Sequence, residues 1–347
     1  MRIRALIAVC ALGCVARPGF AVTCQYGWSL DSQCEYDLTL PCGENAGPGS
    51  RSLHPEWTAR LSASQGQPIY RLTVCPSGLS FITDALGRLA ILDKNGRIQA
   101  DHPLIPEVRG TVALTCNAGD QLVAVHSRYI FVFDFRAGDV TLNRRIPVQS
   151  VRLRPSKVVE ANGNWIVLGA LDGRNYIHVV EPNGSISHSF GEAPVPQLLS
   201  DRAARRGSLI WNPATQTVLF VTANPFGIRS YTLSGDWIGG SIAHPSFEPL
   251  RYDALSGPQP SDEVFSAFLL PSNELVAQTF RLDHSAPGTR RRRLSTFILG
   301  QDRKVEAEAV AIDGEFPGYL QGVSSEGMVY FFAGLSTGVK VSAMSLR

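Results

Sequence analysis

A chain of 347 residues, 44% hydrophobic and 18% charged, has the composition of a packed globular protein and excludes a disordered one. A net charge of +2, with no basic stripe interleaved with aromatics, leaves no footprint for nucleic acid. After position 22 no apolar run reaches the roughly 20 residues that cross a bilayer, so no membrane span is expected.

Residues 1–21 read as an export signal. Arg2 and Arg4 form a basic start, Ala5–Ala16 an apolar stretch, and Gly19-Phe20-Ala21 a small-x-small site for cleavage before Val22. Cleavage after Ala16, or lipid attachment at Cys14, are the alternatives. The mature chain is therefore expected in the periplasm or outside the cell. There Cys24, Cys34, Cys42, Cys75 and Cys116 are disulfide candidates, because they show neither a C-x-x-C pair nor a zinc spacing. Five is odd, so at least one thiol stays unpaired or pairs outside the chain. Residues 22–55, with three of these cysteines and the stretch Gly43-Glu-Asn-Ala-Gly-Pro-Gly-Ser50, are too short to bury a core without such staples.

The remaining chain, 56–347, repeats a four-strand unit. Tight turns at Cys75-Pro-Ser-Gly78, Cys116-Asn-Ala-Gly119, Glu160-Ala-Asn-Gly163, Asn212-Pro-Ala-Thr215, Pro271-Ser-Asn273 and Ser324-Ser-Glu-Gly327 each precede an apolar run. Their spacing of about 50 residues, with four strands per unit, predicts an all-β, six-bladed propeller of four-stranded antiparallel blades. Outer hairpin turns at Asp93-Lys-Asn-Gly96, Arg136-Ala-Gly138, Pro182-Asn-Gly184, Ser234-Gly235 and Leu299-Gly300 occur five times, so the sixth unit lacks its outermost strand. Glu56–Ser62 is the one unassigned strand-like segment and is expected to complete that blade, which would remove an exposed sheet edge.

Phe81–Ile98, with its strand, Asp84, turn, strand, Asn95-Gly96 and strand, resembles an NHL-type blade, and the likeness weakens in later units. It implies the wider group of exported six-bladed propellers that includes NHL modules, TolB-like periplasmic proteins and calcium-dependent lactonases. One fold hosts many functions, so architecture is what this resemblance carries over. A lactonase-like enzyme would need a ring of Asp, Asn and Glu at the channel mouth to hold calcium through oxygen ligands. The innermost strands are expected to begin near Ile69, Arg109, Val158, Ser208, Val264 and Gly318. They bring only Glu107, Glu160 and Asp262 close by, so no cofactor or metal is called for. No nucleophile elbow or zinc-protease motif occurs. His102, His188 and His244 fall at outer strands, and the sequon Asn183-Gly184-Ser185 is explained by its hairpin turn. Cys75 and Cys116 stand at matching offsets before an inner-turn glycine, where they either bridge two blades or pack as buried thiols.

Loop length is the strongest functional signal. The connections between blades and between second and third strands share one face, and 190–207, 242–262 and 281–293 are long there. That face is expected to carry Arg109, Arg152, Arg154, Lys157, Arg202, Arg205, Arg206, Arg251 and the run Arg290, Arg291, Arg292 and Arg293, with acids interspersed. The reading is a non-enzymatic binding or scaffold propeller that takes a protein partner or an anionic envelope polymer on this face. The alternatives are a metal-dependent lactonase- or hydrolase-like enzyme, and a periplasmic inhibitor or immunity protein.

Overall fold

The computed structural model describes residues 51–62, 70–84, 86–102, 105–109, 113–126, 128–136, 138–149, 153–171, 175–192, 207–223, 226–241, 252–253, 257–258, 263–282, 292–300, 308–312, 317–335 and 338–347. The export signal with Cys14, and Cys24, Cys34 and Cys42, lie outside the described residues.

The chain forms a six-bladed propeller. Blade one is Tyr70–Val74, Ser80–Asp84, Leu89–Leu92 and Ile98–His102; blade two is Ala113–Cys116, Leu122–Val125, Tyr129–Arg136 and Asp139–Pro147. Blade three is Arg154–Ala161, Asn164–Ala170, Asn175–Val180 and Ile186–Glu192; blade four is Ser208–Asn212, Thr217–Thr222, Gly227–Tyr231 and Trp237–Ser241. Blade five is Glu263–Leu269, Leu275–Leu282, Arg292–Leu299 and the short Glu308–Ala309. Blade six is Tyr319–Val323, Val329–Leu335 and Gly338–Leu346. Each blade is an antiparallel meander in chain order, and each innermost strand neighbours the next around the axis, with blade six returning to blade one.

The apolar pattern follows from this stacking. A second strand has a neighbouring blade on each face, so Leu122–Val125 is buried throughout rather than alternating. An outermost strand such as Asp139–Pro147 is mostly exposed. The core is accordingly divided into six slabs, one per blade interface. Ile82 and Leu92 of blade one meet Phe332 and Val341 of blade six, while Phe81 and Ile91 on the other face meet Leu122 and Phe133 of blade two. Trp165, the bulkiest fully buried side chain, fills the slab between blades two and three.

Ser52–Ser62, which begins four residues ahead of the expected strand, pairs antiparallel with Gly338–Leu346 from Leu53↔Leu346 to Ser62↔Gly338. Ala311–Ile312 pairs parallel along its other edge. A register shift between Pro55 and Trp57 turns the tryptophan toward blade one. There the Trp57 indole donates to the Lys94 carbonyl at 2.8 Å and meets the Tyr330 ring edge-on at 5.9 Å. Gly96 has φ +78°, and a Cβ on it would lie 2.5 Å from the Trp57 ring, so glycine is required by both backbone and neighbour.

The inner turns lock neighbouring blades together. The four non-glycine residues with left-handed backbone among the described residues are Asp120, Asn162, Gln216 and Asn273, and all four sit in these turns. Each also reaches across a blade boundary. Asp120 accepts from the Ser77 amide at 3.1 Å, the Asn162 amide group donates to Gln216 at 2.7 Å, and Asn212 donates to Asn273 at 2.6 Å. Blades six and one are joined there by Ser325, whose amide donates to the Pro76 carbonyl at 2.8 Å.

Cys75 and Cys116 form a disulfide between blades one and two, with Cα atoms 4.9 Å apart. They are one residue out of step, contrary to the matching offsets read from the sequence. Cys75 is the first residue of its turn, accepting from Gly78, whereas the second turn begins at Asn117, which accepts from Asp120. The left-handed position of that turn is Asp120, not Gly119.

Two outcomes follow. Gly96→Ala, which drives a methyl into the Trp57 ring at positive φ, should lower stability by about 1–3 kcal/mol in urea unfolding. Replacing Cys75 and Cys116 together by serine should lower it by about 2–4 kcal/mol in the same assay.

Candidate binding site at the channel and the long-loop face

Chain direction assigns every connection to one of two faces. Inner turns and outer hairpins close one face and are mostly short, for example 75–79, 117–121, 162–163, 181–185 and 232–236, while the outer connection of blade five runs over 300–307. The connections 103–112, 193–207, 242–262, 283–291 and 310–318 join strand ends at the other, and the two-stranded ribbon Tyr252–Asp253 with Gly257–Pro258 falls within 242–262.

The structure distributes the sequence-predicted arginines unevenly. Arg109 is exposed on the long-loop face, directly after the 3-10 turn Pro106–Val108. It does not open an innermost strand as expected, because the Pro106 turn intervenes and that strand starts at Ala113. The turn is packed closely: a Cβ on Gly87 would lie 2.9 Å from the Arg109 amide nitrogen, and the His126 ring bonds the Glu107 carbonyl at 2.7 Å. Arg154 opens the innermost strand of blade three, and Arg292 and Arg293 open the third strand of blade five, all three at the long-loop end. Arg152, Arg202, Arg205, Arg206, Arg251, Arg290 and Arg291 lie outside the described residues, as does Asp262.

Lys157 is the informative departure. The loop-borne position expected for it is wrong; it sits within the innermost strand of blade three, paired with Leu168. A bulge between Pro155 and Lys157, with the Ser156 hydroxyl donating to the Leu168 carbonyl at 3.1 Å, re-aims the strand at this point. Among the described residues of the six innermost strands, Lys157 is the only exposed side chain, and on an innermost strand an exposed side chain faces the channel. It makes no hydrogen bond or ion pair with any described residue. Protein still surrounds it inside the ring, and this withdrawal from bulk water, with the positive charge of Arg71 as the lesser cause, holds its ammonium below the usual lysine range.

Arg71, on the innermost strand of blade one, escaped the sequence reading altogether. One signal could have found it: Arg71 stands four residues ahead of Cys75 and Lys157 four ahead of Ala161, the same distance from their turns. The innermost strand between them, Ala113–Cys116, reads Ala-Leu-Thr-Cys and supplies no acid.

Bulges recur on innermost strands at Phe265 of blade five and Gln321 of blade six. The first helps to build an aromatic cluster at the long-loop end, where Phe265 lies 4.9 Å from Tyr319 and 5.7 Å from Phe280, each ring partly exposed.

The opposite face offers less. A depression of about 460 Å³ between blades one and two is lined by Leu79, Gly119, Asp120, Gln121, Asp134, Phe135 and Arg136. Its polar groups satisfy one another. Asp134 accepts from Gln121 at 2.5 Å and from Asn143 at 2.9 Å, and these two bonds hold its carboxyl below the usual range. Among the described residues no three His, Cys, Asp or Glu side chains gather to a metal-binding group, and no helix is long and apolar enough to cross a membrane.

The lowered pKa of Lys157 has a definite sign in stability. The unfolded chain holds this proton more tightly than the folded one, so charging Lys157 costs the fold stability in full below its lowered folded-state pKa, and the cost fades as pH rises toward 10.5 and is gone above it. Lys157→Met should therefore be more stable than the parent at pH 7, with the difference shrinking as pH approaches 10.5 in paired urea titrations.

No family model and no curated protein matches the chain. Its fold is similar to that of a DUF4221 family member from Bacteroides vulgatus, with a TM-score of 0.52 and 8% identity over 86% of this chain and 99% of that one. A protein of unknown function from Bacteroides caccae aligns at a TM-score of 0.48 and 10% identity, over 79% of this chain and 97% of that one. Virginiamycin B lyase from Staphylococcus aureus aligns at a TM-score of 0.49 and 15% identity, over 86% of this chain and 100% of that one. At these identities the likeness is one of fold, and the fold is a six-bladed β-propeller.

Proposed function

We propose that this chain is an exported, non-enzymatic binding propeller that presents its long-loop face to a partner protein or an anionic component of the cell envelope. The observation that carries the reading is the inequality of the two faces. One is made mostly of short turns, and its inner turns are tied blade to blade by their own side chains, leaving little freedom to adapt. The other receives the spans 193–207, 242–262 and 283–291, with Arg109, Arg154, Arg292 and Arg293 at their roots. Binding residues are commonly held on loops positioned by such a rigid scaffold. The partly exposed rings of Phe265, Phe280 and Tyr319 add the kind of anchor on which interface energy concentrates. The NHL-like form of blade one, and the export signal read in residues 1–21, favour the periplasm or the exterior as the place of action.

The full chain, used as bait on an envelope fraction at low salt and cross-linked in place, tests this. Capture is expected with cross-links in 193–207, 242–262 or 283–291. It should fall at least tenfold when Arg109, Arg154, Arg292 and Arg293 are replaced by alanine, and it should weaken as salt rises. Capture unchanged in that variant, or cross-links confined to the short-turn face, would overturn the reading. N-terminal sequencing of the recovered protein should begin at Val22.

A further inference from the structure

We infer that the corner of the long-loop face shared by blades one and two binds a hydrophilic polymer carrying repeated oxyanions, with Arg88, Arg109, Arg128 and Arg145 as its contacts. This rests on the proposed role of that face and names one ligand for it.

Backbone contacts assemble the corner. Three segments meet there: the turn 84–88 of blade one, the blade connection at 105–109, and the turn 126–129 of blade two. The Ile105 amide donates to the Gly87 carbonyl at 2.9 Å, and a Cβ on Gly87 would lie 3.3 Å from the Arg109 Cα. The His126 ring bonds the Glu107 carbonyl at 2.7 Å, which ties the connection to blade two. The Val148 amide donates to the Arg128 carbonyl at 2.8 Å, which draws in the end of the outermost strand that carries Arg145. Arg88 follows Gly87 directly, Arg109 stands two residues past Glu107, and Arg128 two past His126. Four arginines are thereby rooted on one area, and all four are exposed.

Their donors are unspent. None of the four guanidinium groups makes a hydrogen bond or ion pair among the described residues. The Arg145 guanidinium carbon sits 3.9 Å over the Tyr129 ring, a contact that steadies the cation without using any of its N–H groups. Two acids stand beside them. Asp84 is buried, and one of its oxygens accepts from the amides of Leu86 and Arg88 at 2.8 and 2.9 Å. Glu107 is partly exposed and pairs with none of the four. Four cations against two acids leave the corner an excess of positive charge.

The chemistry points to the ligand. Guanidinium groups match phosphate and carboxylate oxygens with paired N–H bonds. Several of them side by side suit a chain whose anions recur, because each contact after the first is intramolecular. A protein partner would need apolar anchors at the centre of its footprint. Here Val108 and Phe131 are buried in the slab between the two blades. The exposed large hydrophobic side chain on these elements is Leu142, three residues from Arg145 toward the opposite face. A phosphate-linked chain and a carboxylate-bearing polysaccharide both supply the required groups.

The full chain, purified, is titrated calorimetrically at low salt with polyphosphate, with alginate and with poly-glutamate peptide. Arg88→Gln with Arg128→Gln removes two charges from the corner; Arg97→Gln with Arg136→Gln removes two exposed ones at the outer hairpins of the same blades. At least one of the two polymers is expected to bind, less tightly as salt rises. The corner variant should weaken that binding at least tenfold and the hairpin variant less than twofold. Arg145→Gln alone, expected to weaken it about threefold, gives a second reading should the double variant fail to fold. Response to polyphosphate alone, to alginate alone or to both names the oxyanion preferred. Binding of neither polymer, equal weakening by the two double variants, or tighter binding of poly-glutamate than of either polymer overturns the assignment, the last in favour of an acidic protein segment. Envelope capture through the long loops without polymer binding overturns this assignment alone and leaves the proposed role of the face standing.

Discussion

A four-stranded sheet that is apolar on both faces has no stable existence alone in water, and every blade of this chain is such a sheet. The molecule resolves this by sharing: six hydrophobic slabs, each built half from one blade and half from the next, with the slab between blades six and one making the series circular. An open stack of repeats needs capping units with a polar outer surface, and a circular one does not. The arrangement also couples distant parts of the sequence. Tyr330 packs against Leu72 and Ile82, and the Trp57 ring bears on Gly96, so the first described strand and blade six are held with blade one in one packing unit.

The slabs leave the two ends of the ring with different physics. At one end, short turns in left-handed conformations are held by side chains that reach the adjacent blade, and Asp120, Asn162 and Asn273 each serve both purposes. Backbone strain there is balanced by cross-blade hydrogen bonds, which makes this end a floor. At the other end the chain must travel between blades, and length is tolerated because loop closure costs rise only slowly with residues added. The channel belongs to neither end. Its wall is decided by which side chains the innermost strands aim at the axis, and there bulges at Ser156, Phe265 and Gln321 set the pattern.

What could be read from the sequence divides along the same line. Turns dictated by local chemistry were legible: Gly78, Gly96, Gly163, Gly184 and Gly327 all adopt the positive φ their motifs implied. Where the left-handed residue is not glycine the reading was uneven: the fifth turn was ended correctly at Asn273, but the second was ended at Gly119 instead of Asp120 and the fourth at Thr215 instead of Gln216, because tolerance of the left-handed region is only a preference in such residues. The bulges were invisible, since each is a mismatch of register between two strands and neither strand alone encodes it. For that reason Lys157 looked like a loop residue. The disulfide was half legible: the cysteines stood near equivalent turns, but whether two thiols bond or merely pack depends on an approach that only the ring creates.

The first described strand carries a consequence for how the molecule can be held. Ser52 and Arg347 exchange both backbone hydrogen bonds, each at 2.9 Å, so the chain enters and leaves the propeller at one spot on the short-turn face. A pull applied to the chain at Ser52 or at Arg347 therefore acts on the floor. The long-loop end, where neither of these two residues lies, is left out of the path of that force.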